Sequence, residues 1–156
     1  MAKEIERKFL VSDIETVRGL ASSSSHIRQA YISTNPDATV RLRIRDNEAF
    51  LTVKGRNEGA VRDEWEFMIP AVDAEEMVER LCGGFAIDKT RYIVNVDGWN
   101  WEIDGFHGKH QGLILAEIEM PSADSKPTIP AFIGEEVTGD EKYYNSNLAQ
   151  SGSTPD

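Results

Sequence analysis

The sequence predicts a mainly β chain of the α+β class, an eight-stranded antiparallel barrel closed on itself with a few peripheral helices. Three observations lead there. First, period-two alternation of apolar and charged residues runs through segments 4–10, 40–45, 50–54, 61–69, 89–96, 99–106 and 113–120, and 27–32 adds an eighth. Second, turn chemistry separates these segments: Asp46-Asn47, the stretch from Gly55 to Gly59, and Asp97-Gly98, a strong hairpin signal. Third, helical patterns are few and short. Eight short strands joined by hairpins leave two open edges unless the sheet closes.

The helices are read from their caps. Ser12 precedes an apolar-periodic stretch to Leu20 with Glu15 three residues on, a capping box. Asp73 is expected to cap residues 74–82, where Met77, Val78 and Leu81 form an apolar stripe and Gly83-Gly84 stop the helix. Residues 140–150 read as a C-terminal helix. The Ser22 to Ser25 run reads as a loop. One domain is expected over 1–149, with 150–156, rich in Ser, Gly and Pro, as a disordered tail.

Composition bounds the function. The 156 residues carry 27 acids and 17 Lys or Arg, a formal net charge of −10, which argues against duplex nucleic acid as a partner. No apolar run approaches a membrane span, and the start, MAKEIERKFL, lacks the apolar stretch of a signal peptide. The single cysteine, Cys82, fits a reducing cytoplasm. Hydrophobic outer strand positions make a homodimer an option.

The alternation has an unusual content. Side chains two apart share a face of a strand, so Arg41, Arg43 and Arg45 share one, opposite Val40, Leu42 and Ile44. Arg62, Glu64 and Glu66 share another, Glu102 and Asp104 a third, and Glu117 and Glu119 a fourth. Glu4, Glu6 and Lys8 oppose Ile5, Arg7 and Phe9. A solvated sheet face mixes Ser, Thr, Gln and Lys, whereas these rows are almost wholly ionised. Three arginines on one face repel unless an anion lies among them, and clustered glutamates ask for a cation. The rows therefore point to metal ions bridging a phosphate chain inside a barrel whose charged face turns inward.

These residues resemble the CYTH domain, the triphosphate tunnel metalloenzyme family. Glu4-Ile5-Glu6-Arg7-Lys8 is similar to its N-terminal ExExK signature. Thr39-Val40-Arg41-Leu42-Arg43, Ala49-Phe50-Leu51-Thr52-Val53-Lys54-Gly55, Glu64-Trp65-Glu66-Phe67, Lys89-Thr90-Arg91-Tyr92, Trp101-Glu102-Ile103-Asp104 and Ala116-Glu117-Ile118-Glu119 follow in family order. The ending, Ile133-Gly134-Glu135-Glu136-Val137-Thr138 through Tyr143-Tyr144-Asn145, resembles the small bacterial members; Lys142 stands where an arginine is expected. The resemblance spans about residues 1–149 and implies a charged tunnel that binds a triphosphate with Mg²⁺ or Mn²⁺. Activities in the family include inorganic, thiamine and RNA triphosphatases and adenylate cyclase.

Roles follow from residue chemistry and this resemblance. Glu4, Glu6, Glu117 and Glu119 are the metal candidates, as hard divalent ions take oxygen ligands; Glu6 and Glu119 are favoured by the resemblance. Two ions are expected, one orienting phosphate and one activating water. Lys8, Arg41, Arg43, Lys54, Lys89 and Arg91 are candidate phosphate ligands. Arg45, Arg62, Glu64, Glu66, Glu102 and Asp104 support the lumen. For the proton of water, a Tyr31–Lys54 dyad is suggested, with Lys54 expected to have a lowered pKa among its fellow cations. His107 and His110 are read as an exposed turn, Cys82 as packing, and Trp65, Trp99 and Trp101 as packing outside the barrel against helices.

The leading expectation is hydrolysis of inorganic tripolyphosphate to pyrophosphate and phosphate. The alternatives are an organic triphosphate (thiamine triphosphate or a nucleotide) as substrate, adenylate cyclisation, and polyphosphate or nucleotide binding without turnover. The proposed inward rows hold eight bases and eight acids, so the outer coat keeps 9 bases against 19 acids and carries the whole −10. Net charge describes the coat and not the lumen.

Overall fold

The computed structural model describes residues 3–151 and 154–155. Nine strands form one sheet: β1 (Lys3–Val11), β2 (Ser23–Ser33), β3 (Thr39–Arg45), β4 (Glu48–Lys54), β5 (Val61–Ile69), β6 (Ile87–Val96), β7 (Trp99–Phe106), β8 (Ile114–Glu119) and β9 (Ile133–Glu136). Their order is β5-β4-β3-β2-β6-β7-β8-β1-β9, and β1 also pairs with β5 through Lys3–Asp63, Glu4–Arg62 and Ile5–Val61. That last pairing closes the first eight strands into the expected antiparallel barrel. The ninth strand, β9, lies outside the closure against β1; a side chain at Gly134 would meet the Leu10 carbonyl at 2.9 Å, so the approach requires glycine.

All eight predicted strands are present. Asp97 and Gly98 have φ of 50° and 82°, the type I′ pair whose twist suits the β6–β7 hairpin. The Ser22 to Ser25 loop is a correction: Ser23 already opens β2 and pairs with Ile93, because backbone pairing with β6 outweighs the low strand preference of serine. Helix boundaries also move. Helix α1 (Ile14–Leu20) is capped by Asp13, which accepts from the Thr16 amide, and not by Ser12; Glu15 pairs with Arg18 instead of closing a box. Helix α2 (Ala71–Met77) starts directly after Pro70, leaving Asp73 inside its first turn. It runs on as a π-helical turn (Val78–Cys82) that ends at left-handed Gly83. The wider turn leaves Leu81 58% exposed, outside the expected stripe. Residues 140–150 split into a 3₁₀ turn (Glu141–Tyr143), begun by Asp140, and helix α3 (Asn145–Ser151). Gln150 and Ser151 thus belong to α3, and residues 152, 153 and 156 of the expected tail lie outside the described residues.

Apolar packing occupies the outside of the barrel and one of its ends. Outside, Phe9, Trp101, Ile103, Ala116 and Ile118 pack around Val17 of α1, with Trp101 fully buried and Trp99 alongside. Leu42 and Ala30 pack on Val78, and Ile44 and Ala49 on Ala74 of α2. Trp65 departs from the expectation: Ile69 at the end of β5 packs against Ala74 and Val78, but Trp65 is 45% exposed. At one end, Ile87, Phe106, Leu113 and Leu115 close over Val137, Tyr143 and Leu148. There His110 is buried edge-on to Phe106, so of the two histidines expected to be exposed only His107 is partly open, with Gly108 and Lys109 exposed between them.

Candidate active site

Strand periodicity builds the site. In each barrel strand one row of side chains faces outward and the other inward, and in every strand but β2 the inward row carries charge. Around the barrel they segregate by sign. The neighbouring strands β7, β8, β1 and β5 carry Glu102, Asp104, Glu117, Glu119, Glu4, Glu6, Glu64 and Glu66, with Lys8 and Arg62 the cations among them. The neighbouring strands β4, β3 and β6 carry Lys54, Arg41, Arg43, Arg45, Lys89 and Arg91, with Gln29 and Tyr31 of β2 between them. One half of the wall is acidic and the facing half basic.

Between these halves lies a cavity of about 260 Å³. Its wall includes every predicted site residue except Lys89 and Asp104: seven acids and seven bases, formally neutral. Lys89, expected among the phosphate ligands, is the correction, while Asp104 supports the wall from behind. Lys89 is wholly buried, flanked across the sheet by Ile27 and Phe106, and its Nζ lies 2.8 Å from Asp104 Oδ2. Asp104 also takes Nε and Nη2 of Arg91 at 2.8 and 2.9 Å. The inward row dips into the apolar plug here, so Lys89 backs the wall and does not reach the cavity.

Several cations at the wall are only partly satisfied. Arg41 and Arg43 place Nη2 at 3.5 and 3.2 Å from Glu66 Oε2, and Arg41 Nη2 donates to Thr52. Among the described residues their buried Nε groups have no hydrogen-bond partner. Such buried donors are costly unless something accepts from them. Lys54 Nζ sits 3.1 Å from Glu4 and 3.3 Å from Glu64. Lys8 Nζ donates to the Tyr143 carbonyl at 3.2 Å and lies 3.9 Å from Glu117. Tyr31 Oη accepts from Gln29 Nε2, which leaves its own O–H free to donate. At the rim, Arg45 lies over Phe50 and near Glu48, while Arg62 donates to the Gly55 carbonyl and to Thr39.

The carboxylates titrate unevenly. Burial, with Glu117 and Glu4 close by, raises Glu6 well above the usual carboxylate range. Burial works against ionisation of Glu117 too, but Lys8 and Arg91 hold it far below that range. Burial and then Glu4 raise Glu119. Lys54 overturns an expectation: burial and Arg41 press its pKa down, yet Glu4, Glu6 and Glu64 together hold it above the ordinary lysine value. In the cation-free chain Lys54 is therefore an ammonium at neutral pH. Burial, Arg41 and Arg91 push Arg43 down to about 10, which still leaves it charged at neutrality.

A divalent cation fits this donor set. Among the described residues no three acidic or imidazole groups converge to cage an ion by themselves. Mg²⁺ does not need such a cage, since it commonly binds one or two carboxylates with water and substrate phosphate oxygens. A carboxyl whose pKa is raised by burial and by two neighbouring carboxylates, as that of Glu6 is, is a site where a cation relieves repulsion.

Residues of the C-terminal segment also reach the cavity without having been anticipated as wall: Thr138, Gly139, Tyr144, Asn145 and Ser146, together with Thr39, Asn57 and Gly59. Thr39 opens β3 in the row of Arg41, and Asn145 and Ser146 begin α3; the others lie on loops and turns, where no strand period marks an inward face.

Comparison with known proteins agrees with this geometry. The model of the CYTH domain matches residues 2–149. An inorganic triphosphatase of Acetivibrio thermocellus is 43% identical over 151 residues, 97% of this chain and 96% of that protein. One from Nitrosomonas europaea is 38% identical over 152 residues, 95% and 97% of the two chains. The crystal structure of the inorganic triphosphatase NE1496 superimposes with a TM-score of 0.65 at 33% identity, covering 95% of this chain and 98% of that one.

Proposed function

The chain belongs to the CYTH domain family, and from that premise we propose that it is an inorganic triphosphatase that hydrolyses tripolyphosphate to pyrophosphate and phosphate. The observation that carries this reading is the division of the inner wall into a basic half and an acidic half. A short polyanion needs the first, and the cations that accompany it need the second.

Phosphoryl transfer asks a protein chiefly for positioning and charge stabilisation. Arg41, Arg43 and Arg91 hold phosphate oxygens, with the unspent Nε donors of Arg41 and Arg43 available to the substrate. Lys8 and Lys54 add point charges, and Tyr31 donates its free O–H to a phosphate oxygen or to the attacking water. Asp104, itself paired with Lys89, fixes Arg91 from behind. Glu64, Glu66 and Glu102 tether the basic rows, and Arg45 and Arg62 frame the rim. Glu4, Glu6, Glu117 and Glu119 hold the divalent ions, Mg²⁺ or Mn²⁺ and two in number in this reading. When bound, such ions neutralise phosphate charge and supply an activated water. They add about +4 to a neutral wall, close to the charge of the triphosphate.

The reading includes a reducing cytoplasm as its setting, which the single cysteine, Cys82, supports, and no helix among the described residues is long and apolar enough to cross a membrane. Exposed Trp65 and Phe67 on β5 are the surface on which a second copy would associate, a point for light scattering of the intact chain against Trp65→Ser.

The test is a parallel assay of tripolyphosphate, thiamine triphosphate and ATP with Mg²⁺ or Mn²⁺. The expected result is the highest kcat/KM for tripolyphosphate. Preference for either organic triphosphate, or binding without turnover, would overturn the assignment.

A further inference from the structure

A second, smaller chamber of about 130 Å³ adjoins the charged cavity, and Thr39, Asn57, Arg62, Tyr144 and Ser146 line both. Two hydrogen bonds cross this common wall. Asn57 Nδ2, from the loop between β4 and β5, donates to Tyr144 Oη at 2.6 Å, and Arg62 Nη2 donates to Thr39 Oγ1 at 2.9 Å. The Asn57–Tyr144 bond joins segments 87 residues apart in sequence, so it is a tertiary clasp and not a local turn.

The smaller chamber differs in chemistry from the larger. Its cations are already engaged, Arg56 with Asp37 and Arg62 with Gly55 and Thr39. It contains an acid, Glu141, and its remaining surface comes from Thr34, Pro36, Asn147 and the Tyr144 ring. Additional phosphates would find two arginines whose donors are already directed to other partners, and one negative charge, Glu141, against them. An uncharged, hydrogen-bonding group would find amides, hydroxyls, a proline and an aromatic ring.

We propose that the Asn57–Tyr144 clasp is a specificity-determining partition: it separates the phosphate cavity from a chamber suited to the uncharged part of an esterified triphosphate, the chemistry of a nucleoside. The proposal rests on the triphosphatase reading above. With the clasp closed, a triphosphate with both ends free fits the charged cavity, while one carrying a nucleoside must break the bond to extend beyond it. Neither residue need touch the reacting atoms for this. Their effect is on which substrates enter, and it is read as a ratio between substrates.

The experiment compares tripolyphosphate, linear tetrapolyphosphate and ATP as substrates of the intact chain, Asn57→Ala and Tyr144→Phe. Each variant removes one end of the clasp, and Tyr144→Phe does so by loss of a single hydroxyl, which keeps the packing of the ring. The kcat/KM ratio of ATP to tripolyphosphate is expected to rise at least tenfold in both variants, with the tetrapolyphosphate ratio changing less than threefold. An unchanged ATP ratio in both variants, with the intact chain still hydrolysing tripolyphosphate, overturns the partition. Equal gains for ATP and tetrapolyphosphate overturn the chemistry assigned to the second chamber. Failure of the intact chain to hydrolyse tripolyphosphate overturns the underlying reading, and the partition with it.

Discussion

Glu6 on β1 and Glu119 on β8 are direct cross-strand partners, two carboxylates held side by side at the wall of the cavity. Like charges in that position cost a sheet roughly 0.2–1 kcal/mol. A position that opposes stability and serves a cation trades one for the other. Glu119→Gln is therefore expected to raise the Tm of the cation-free chain by about 1–4 °C and to cut tripolyphosphate turnover by about a hundredfold or more. Thermal melts with chelator and a phosphate-release assay check the two halves.

The same crowding sets a pH dependence. Burial, Glu117 and Glu4 keep the proton on Glu6 well above 4.5, the value at which the unfolded chain releases it. Between those two pH values the native chain binds more protons than the unfolded one, so this contribution to stability falls as pH rises. Asp104 has the opposite sign: burial opposes its charge, but Arg91 and Lys89 outweigh burial and lower it below 3.8. Its stabilisation is present above 3.8 and is lost as pH falls through the depressed value. Melts of the cation-free chain from pH 5 upward are expected to show Tm declining with pH, and Glu6→Gln should flatten that slope.

Asp104 is the shared counter-ion of two buried cations, Arg91 and Lys89. Asp104→Asn strands Lys89 and leaves Arg91 with Glu102 alone, and breaking a buried pair in this way costs about 3–5 kcal/mol. A Tm loss on the order of 10 °C is expected. Adding Lys89→Met should recover part of it, because the stranded ammonium is then gone. Equal melting of Asp104→Asn and the unchanged chain would contradict the placement of Lys89 behind the wall.

Arg43 has a buried, unpartnered Nε and a pKa pushed down to about 10 by burial and by Arg41 and Arg91, so it resides at a cost. Arg43→Ala is expected to lower kcat/KM for tripolyphosphate by about 10–100-fold, the worth of a charge-assisted hydrogen bond or two. Arg43→Lys should restore little, since a lysine cannot offer the same fork of donors. Steady-state kinetics on the two variants provide the comparison.

Strand alternation made the inward rows readable, since Arg41, Arg43 and Arg45 must share a face whatever surrounds them. It could not tell depth along the barrel. Lys89 belongs to the same inward row as Arg91, but its cross-strand neighbours Ile27 and Phe106 are apolar, and only the register reveals that. The basicity of Lys54 escaped for a similar reason. Sequence shows that it has arginines for companions, whereas its near neighbours in space are Glu4 and Glu64 from other strands. Strand β9 has four residues and one glycine, too little for a periodic signal, and the Tyr144 side of the cavity comes from a segment with no period at all.

Phosphate release from tripolyphosphate with Mg²⁺ or Mn²⁺, and again after chelation, tests the divided cavity most directly when run on the intact chain beside Glu119→Gln and Arg43→Ala. Expected are one pyrophosphate and one phosphate per substrate, release only with a divalent ion, and a loss in each variant of about tenfold or more. Undiminished turnover in both variants, or no release with any divalent ion, would contradict a cavity whose acidic half holds cations and whose basic half holds the substrate.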